Sequence, residues 1–298
     1  MQQLDLETNL KSTLQKVLQG TIAAGVVCLA GQSAQAGTLY QGWNYAIDSF
    51  NDGYNNGTIG SNSGYELYGL AVQQAGNQVT FAINSNTPLG GLSSNGAAGN
   101  RVAYGDLFLN FTGQTLANAQ GNLFGIRFDD QSDNSASFSL GLYSGVVAQK
   151  VSLVNNGFNT LSQHRDSVAN KGGTASLGDL AQDATNPYFS NQPLNAIQSG
   201  TKVASLTALD STALAGLGLN FGHFGATGTY TFGFSVDRSA LPSGDFLAHF
   251  FVECANDGVA LAGTLTEDVP EPAGVLGMAL VGLMGSAGWL RRKLGLSA

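Results

Sequence analysis

Charge is scarce in this chain of 298 residues, since charged residues make up 11% of it against roughly a quarter in an ordinary globular domain. Helix-rich soluble proteins usually carry more Glu and Lys, so the shortage argues against a mainly helical body. Prolines number only 6, whereas glycines number 41. Hydrophobic residues at 43% are enough to build a core, which excludes global disorder. The composition favours short strands joined by turns.

Basic residues are few between the two ends of the chain. From Gly37 to Val269 there are seven Lys and Arg against 17 Asp and Glu, which gives a net charge of −10. A nucleic-acid-binding surface needs clustered positive charge, so we expect no nucleic-acid partner. The acidity is typical of an exposed protein that stays soluble.

Cysteine and histidine are too few to indicate a disulfide framework or a redox site. Cys28 and Cys254 are the two cysteines, and removal of an N-terminal segment would leave only Cys254, which we expect to be a buried thiol. The three histidines are dispersed, without paired metal-ligand spacing. We therefore expect no catalytic residue and no cofactor apart from the calcium ion considered below.

Residues 1–36 have the pattern of a secretory signal peptide. An apolar stretch at 21–31 follows two lysines and is too short to span a bilayer. Ala34-Gln35-Ala36 supplies the small residues of a cleavage site, with Ala34 and Ala36 at the recognised positions. We predict export through the general secretion machinery and cleavage by signal peptidase before Gly37.

The segment 266–298 combines a short motif at 269–272, an uncharged stretch at 273–290 and a basic tail at 291–298. A helix over 273–290 would be about 27 Å long, just enough to cross a hydrocarbon core. We therefore predict one C-terminal transmembrane helix, which holds the protein in the membrane. The cluster Arg291, Arg292 and Lys293 orients it with the tail in the cytoplasm.

This ending, with Pro270, Glu271 and Pro272 as its motif, resembles the PEP-CTERM sorting signal. The resemblance implies recognition by an exosortase, a membrane transpeptidase-like protease of Gram-negative envelopes. It implies transient anchoring in the inner membrane, then delivery to the cell surface or extracellular matrix. The alternative is a plain C-terminal anchor. The stretches 42–53, 64–72, 105–111 and 244–263 also resemble cyanobacterial exosortase-dependent surface proteins, a resemblance that implies no activity.

Residues 37–265 show the two-residue alternation of half-buried strands. Val79, Phe81 and Ile83 form one such set, and we expect Tyr230, Phe232 and Phe234 to face inward together. Other strands are predicted at 107–111, 123–128, 138–143, 146–154 and 246–254. Turns are predicted at Asn56-Gly57, Asn95-Gly96, Asn156-Gly157 and Asp257-Gly258. We therefore expect an all-β ectodomain, an antiparallel β-sandwich or jelly-roll-like fold. The polar stretch 159–200 allows a loop, a partial helix at 175–181 or a lid.

Two acidic clusters contain candidate calcium ligands, because this hard cation takes carboxylate oxygens. Asp129, Asp130 and Asp133 form the candidate site, and Asp48 with Asp52 forms a second cluster. Neither has the spacing of a helix-loop-helix calcium loop. For both clusters the alternative is a solvated turn.

The sequence favours an exported, non-enzymatic surface or matrix protein with a structural or adhesive role. The alternative is a carbohydrate-binding module or a glycan-acting enzyme, with extracellular polysaccharide as the partner. Paired carboxylates about 5–10 Å apart in one cleft would favour the enzyme. Five early aromatic residues offer either a sugar-stacking platform or core packing: Trp43, Tyr45, Tyr54, Tyr65 and Tyr68.

Overall fold

The computed structural model describes residues 37–133, 138–180 and 187–267. Ala34 and Ala36 lie outside these residues, as do the Pro270-Glu271-Pro272 motif and the segment 273–298. Every pairing between the described strands is antiparallel, which confirms the expected all-β character. Within the described ranges, no helix has the length and apolar character needed to cross a membrane.

The strands form two six-stranded sheets and one small ribbon. The first sheet contains, in spatial order, β1 (Thr38–Tyr40), β2 (Trp43–Ile47), β3 (Leu67–Ala75), β4 (Gln78–Ser85), β12 (Tyr230–Asp237) and β11 (Thr207–Leu209). The second contains β10 (Ala196–Ala204), β9 (Gly141–Gln149), β8 (Leu123–Arg127), β7 (Leu107–Asn110), β13 (Gly244–Phe251) and β14 (Gly258–Leu265). The ribbon pairs β5 (Leu92–Ser93) with β6 (Arg101–Val102).

Each large sheet contains four strands that are consecutive along the chain, β1 to β4 in the first and β7 to β10 in the second. This is the order of a meander. A jelly roll is built from Greek keys, in which a fourth strand returns to lie beside the first. The jelly-roll form of the prediction therefore does not describe this strand order, whereas the sandwich form does.

The two large sheets share one apolar core. Val79, Phe81 and Ile83 of β4 are fully buried, as their alternation predicts. The ring of Phe128, just after β8, stacks on Phe234 of β12 at a centroid distance of 4.9 Å. Because each fully buried side chain of this size stabilises the fold by about 1.5–3 kcal/mol, such contacts hold the sheets together as a sandwich.

The outer faces of both sheets are also covered. On the first sheet, the short helix α2 (Ser211–Gly216) places Leu214 against an apolar cluster that includes Trp43 and Ala82. On the second, the helix α1 (Leu161–Ala169) starts with a capping box and places Leu161 in a cluster with Phe251. Burial on both faces explains why several strands lack polar alternation.

Tyr230, Phe232 and Phe234 are not all buried, so the prediction that they face inward together is wrong for Tyr230. Phe234 is 2% exposed and Phe232 packs against the core, but Tyr230 is 41% exposed. Tyr230 is the first residue of β12 and pairs with Ser85, the last residue of β4. It therefore lies where the paired strands end, beyond the shared core.

Other predicted elements differ in position. The strands predicted at 138–143 and 146–154 are one strand, β9, whose pairing with β10 changes register three times. Such bulges interrupt the alternation. The partial helix predicted at 175–181 is absent from its described part, where Leu177 and Leu180 form an isolated bridge. Within the described part of this polar stretch the helix is α1, and the strands expected at 107–111, 123–128 and 246–254 are present as β7, β8 and β13.

Candidate functional site

A polar pocket of about 650 Å³ is the first candidate site, a volume within the range of about 300–1,000 Å³ for small-molecule sites. No residue that lines it carries a charge, which suits a neutral ligand. Its side chains are mainly amides and hydroxyls, with Tyr65, Leu92 and Cys254 as the apolar part. Six of the lining residues are asparagines: Asn55, Asn56, Asn95, Asn155, Asn156 and Asn256.

Tight turns position these asparagines. Asn56 and Gly57, with φ of 49° and 87°, form the centre of a two-residue turn closed by backbone hydrogen bonds of 2.8 and 2.9 Å. Both values fall in the left-handed region, which an Asn-Gly pair adopts readily. Asn156, with φ of 54°, ends the short 3-10 helix Ser152–Asn155 in the same conformation. The turns predicted at these two asparagines are confirmed.

Hydrogen bonds hold three of the amides in place. Asn256 Nδ2 donates to Tyr54 O at 2.7 Å, and Asn156 Nδ2 donates to Asn95 O at 3.2 Å. Asn155 Nδ2 donates to a backbone carbonyl one helical turn earlier, also at 3.2 Å. The carbonyl oxygens of Asn155 and Asn256 are buried without a hydrogen-bond partner. Both oxygens are closed off from solvent, so a ligand in the pocket would meet other atoms of the lining.

The early aromatic residues do not form a sugar-stacking platform of five rings. Trp43, Tyr45 and Tyr68 are buried in the apolar cluster on the outer face of the first sheet, as the core-packing interpretation expects. Tyr65 is 6% exposed and is the one of the five that lines the pocket. Burial raises the pKa of Tyr65 to about 12, and so its hydroxyl is protonated at neutral pH.

Cys254 is a free, buried thiol, as the sequence predicts. Burial raises the pKa of this thiol far above its usual range. The thiol is therefore protonated at neutral pH, and it contributes apolar surface to the pocket instead of a nucleophile.

A group of buried carboxylates adjoins the pocket along the chain. Ligand atoms of Asp48, Asp52 and Asp257 lie within 4.8 Å of one another, and we call these three residues with Glu66 the carboxylate cluster. Glu66 follows the pocket residue Tyr65, and Asp257 follows Asn256. Burial raises the pKa of Asp48 to about 7 and that of Glu66 to about 8.

Backbone donors hold one oxygen each of Asp48, Asp52 and Glu66 and both oxygens of Asp257, whose second donor is Gly258 N at 2.7 Å. Gly178 N–H donates to Asp48 at 3.0 Å, and Ser176 N–H donates to Asp52 at 2.7 Å. Gly53 N–H donates to Glu66 at 2.8 Å, and Leu67 N–H donates to Asp257 at 2.7 Å. The second oxygen of Asp48, Asp52 and Glu66 is buried without a partner. The carboxylates that could hold a cation are therefore fixed by the backbone, and Asp48, Asp52 and Glu66 each retain one free ligand atom.

The structure does not gather Asp129, Asp130 and Asp133 into a ligand set. Asp129 accepts hydrogen bonds from Gln131 N at 3.0 Å and Gly90 N at 2.9 Å, one on each oxygen, and Asp130 is exposed. Within 37–133, 138–180 and 187–267, the group of three or more potential metal ligands is Asp48, Asp52 and Asp257. Their closeness in sequence did not bring their oxygens together, and calcium binding at 129–133 stays a prediction that the Asp129→Asn variant below tests.

The solvated-turn alternative is wrong for the second acidic cluster, since Asp48 is 5% exposed and Asp52 is fully buried. Sequence reasoning missed Glu66 and Asp257 as their companions. The one available signal was Glu66 itself, a carboxylate flanked by Tyr65 and Leu67 in an otherwise apolar stretch.

The chain was compared with known proteins by three routes. Neither family models, nor curated proteins, nor solved structures gave a match.

Proposed function

We propose that this protein is an exported, non-catalytic surface protein that binds a neutral saccharide in the asparagine-lined pocket. Export rests on the signal-peptide pattern of residues 1–36, and surface delivery by an exosortase rests on the motif and the span at 266–298. The observation that carries the binding role is the pocket lining itself, six asparagines and no charged residue.

The chemistry of the lining matches a polyhydroxylated ligand. An asparagine side chain offers two donors and a carbonyl acceptor, and a sugar hydroxyl both donates and accepts. Tyr65 and Leu92 supply apolar surface, which suits the C–H face of a sugar ring.

The position of the carboxylates favours binding over glycan hydrolysis. A glycosidase places two carboxyl groups on either side of the bond that it cleaves. Here the lining contains no carboxylate, and the acids that adjoin it along the chain are buried in the carboxylate cluster. These observations support an adhesive role and argue against the glycan-acting alternative.

A substitution that fills the pocket tests the proposal. Ser93 lines the pocket and is exposed, so Ser93→Trp adds a large ring without disturbing the core. Ser199→Trp is the matched control, because Ser199 is an exposed residue of β10, in another sheet from the Ser93 strand. Each full-length protein is applied in mild detergent to an array of neutral oligosaccharides and exopolysaccharide fragments.

We expect the wild type and Ser199→Trp to bind the same oligosaccharides, and Ser93→Trp to lose at least tenfold in affinity. Binding that Ser93→Trp leaves unchanged would place the sugar elsewhere and contradict the proposal. If the wild type binds no oligosaccharide, a purely structural matrix role is the better account. Shortened oligosaccharides recovered after incubation would instead identify a hydrolase.

A further inference from the structure

We propose that the carboxylate cluster, Asp48, Asp52, Glu66 and Asp257, binds one divalent cation of the calcium class. The ion would join the loop after β2, the start of β3 and the turn before β14. This site is separate from the saccharide pocket and does not depend on the proposed function.

The spacing of the carboxylates fits such an ion. Calcium binds oxygen ligands at about 2.3–2.6 Å, so two ligand atoms of one ion lie at most about 5 Å apart. Ligand atoms of Asp48, Asp52 and Asp257 all lie within 4.8 Å of one another. Backbone hydrogen bonds to all three carboxylates set this spacing.

The unpartnered oxygens are a second observation that points to a ligand. Asp48, Asp52 and Glu66 are each at least nine-tenths buried, and each has one oxygen without a hydrogen-bond donor. A buried carboxylate normally has all its oxygens paired with donors or bound to a metal. Three such oxygens in one cluster indicate a shared partner with positive charge.

The cluster brings four acidic side chains together in the interior. The ion pair found in 37–133, 138–180 and 187–267 joins Arg165 to Asp166, and neither residue belongs to the cluster. The carboxylates repel one another: Asp48, Asp52 and Glu66 all raise the pKa of Asp257 further, beyond the effect of its burial. Bound cations or bound protons would relieve this repulsion, and the experiment distinguishes the two.

The ligand chemistry selects a hard cation. All the candidate ligands are carboxylate oxygens, whereas zinc and copper sites use imidazole or thiolate. His164 lies nearby, but its Nε2 is 2.9 Å from the backbone oxygen of Asp52. Mg²⁺ usually keeps several waters and takes one or two carboxylates, so three carboxylates whose ligand atoms lie within 4.8 Å of one another favour Ca²⁺.

Calcium titration of the full-length chain, in mild detergent at pH 7.5 after removal of metals with a chelator, tests the proposal. Calorimetry should give one Ca²⁺ per chain. Calcium at about 100 times its Kd should raise Tm by about 5 °C or more relative to chelator. No binding heat and no Tm shift would overturn the proposal in favour of bound protons.

Two aspartate variants locate the site. Asp52→Asn should weaken calcium binding at least 100-fold, because it replaces one charged ligand at the centre of the cluster. Asp129→Asn is the matched control, a buried aspartate outside the cluster, and it should bind calcium like the wild type. Loss of binding in Asp129→Asn alone would place calcium at 129–133 and overturn the assignment.

The order of melting temperatures separates ligand loss from simple misfolding. In chelator, Asp52→Asn should melt at or above the wild-type Tm, because the substitution removes one repelling charge. In calcium the order should reverse, because only the wild type gains from the ion. A variant that melts below the wild type by the same amount in both buffers would contradict the proposal.

Discussion

Replacement of His249 by phenylalanine should remove the contribution that this one buried histidine makes to the acid sensitivity of the fold. His249 lies on β13 and is fully buried. Its ring stacks on Phe108 at 5.4 Å and meets Phe189 edge-on at 5.0 Å. Its Nδ1 is 3.2 Å from Tyr188 Oη, and its Nε2 is buried without a partner. Burial lowers the pKa of His249 to about 3.

The sign and size of the effect follow from proton linkage. The pKa of an unfolded histidine is about 6.5, so below that pH the unfolded chain binds a proton that the folded chain excludes. The stability contributed by neutral His249 is therefore lost as the pH falls from about 6.5 toward 3. Between pH 7 and pH 5 the loss is about 2 kcal/mol, at about 1.4 kcal/mol per pH unit.

Urea denaturation at pH 7 and pH 5 measures the effect. We compare how the free energy of unfolding changes when the pH falls from 7 to 5. This change should be about 2 kcal/mol more unfavourable for the wild type than for His249→Phe. Phe251→Leu, in the same apolar cluster, is the control and should lower stability equally at both pH values. If His249→Phe and the wild type show the same pH dependence, the reasoning is refuted.

Four further predictions concern the backbone and the two ends of the chain. Gly157→Ala should lower the free energy of unfolding by about 2 kcal/mol or more in urea denaturation, because its Cβ would lie 1.7 Å from Cys254 O. Gly216→Ala meets no atom within 4 Å and lies in α2, so it should stabilise by about 0.5–1 kcal/mol. N-terminal sequencing of the exported protein should begin at Gly37, and Met1 there would contradict cleavage. Alanines in place of Pro270-Glu271-Pro272 should leave full-length protein in the inner membrane of an exosortase host; identical fractionation and tail retention of both versions on antibody blots would indicate a plain anchor.

The fold class could be predicted because local signals agree with the tertiary structure in several strands. Val79, Phe81 and Ile83 alternate because one face of β4 meets the facing sheet, and the Asn56-Gly57 turn follows from backbone conformation alone. Tyr230 continues an alternating pattern past the end of the core, so periodicity alone misplaces it. Strand ends depend on where the facing sheet stops, and a local pattern does not contain that information.

The candidate sites were harder to predict because they join segments distant in sequence. Asp257 was interpreted as a turn residue, but its carboxylate accepts a hydrogen bond from Leu67 N and lies beside Asp48 and Asp52. The pocket likewise combines asparagines of four separate loop regions. The amino-acid composition shows that asparagines are present, but it does not predict that the strand order brings them to one surface.

The location of a bound sugar tests the central claim most directly. A crystal of the wild-type protein, soaked with an oligosaccharide that it binds on the array, would show where the sugar lies. We expect an intact oligosaccharide in the 650 Å³ pocket, with hydroxyls hydrogen-bonded to asparagine side chains of the lining. A sugar bound away from the six asparagines, or one with a cleaved glycosidic bond beside a carboxylate, would contradict the account.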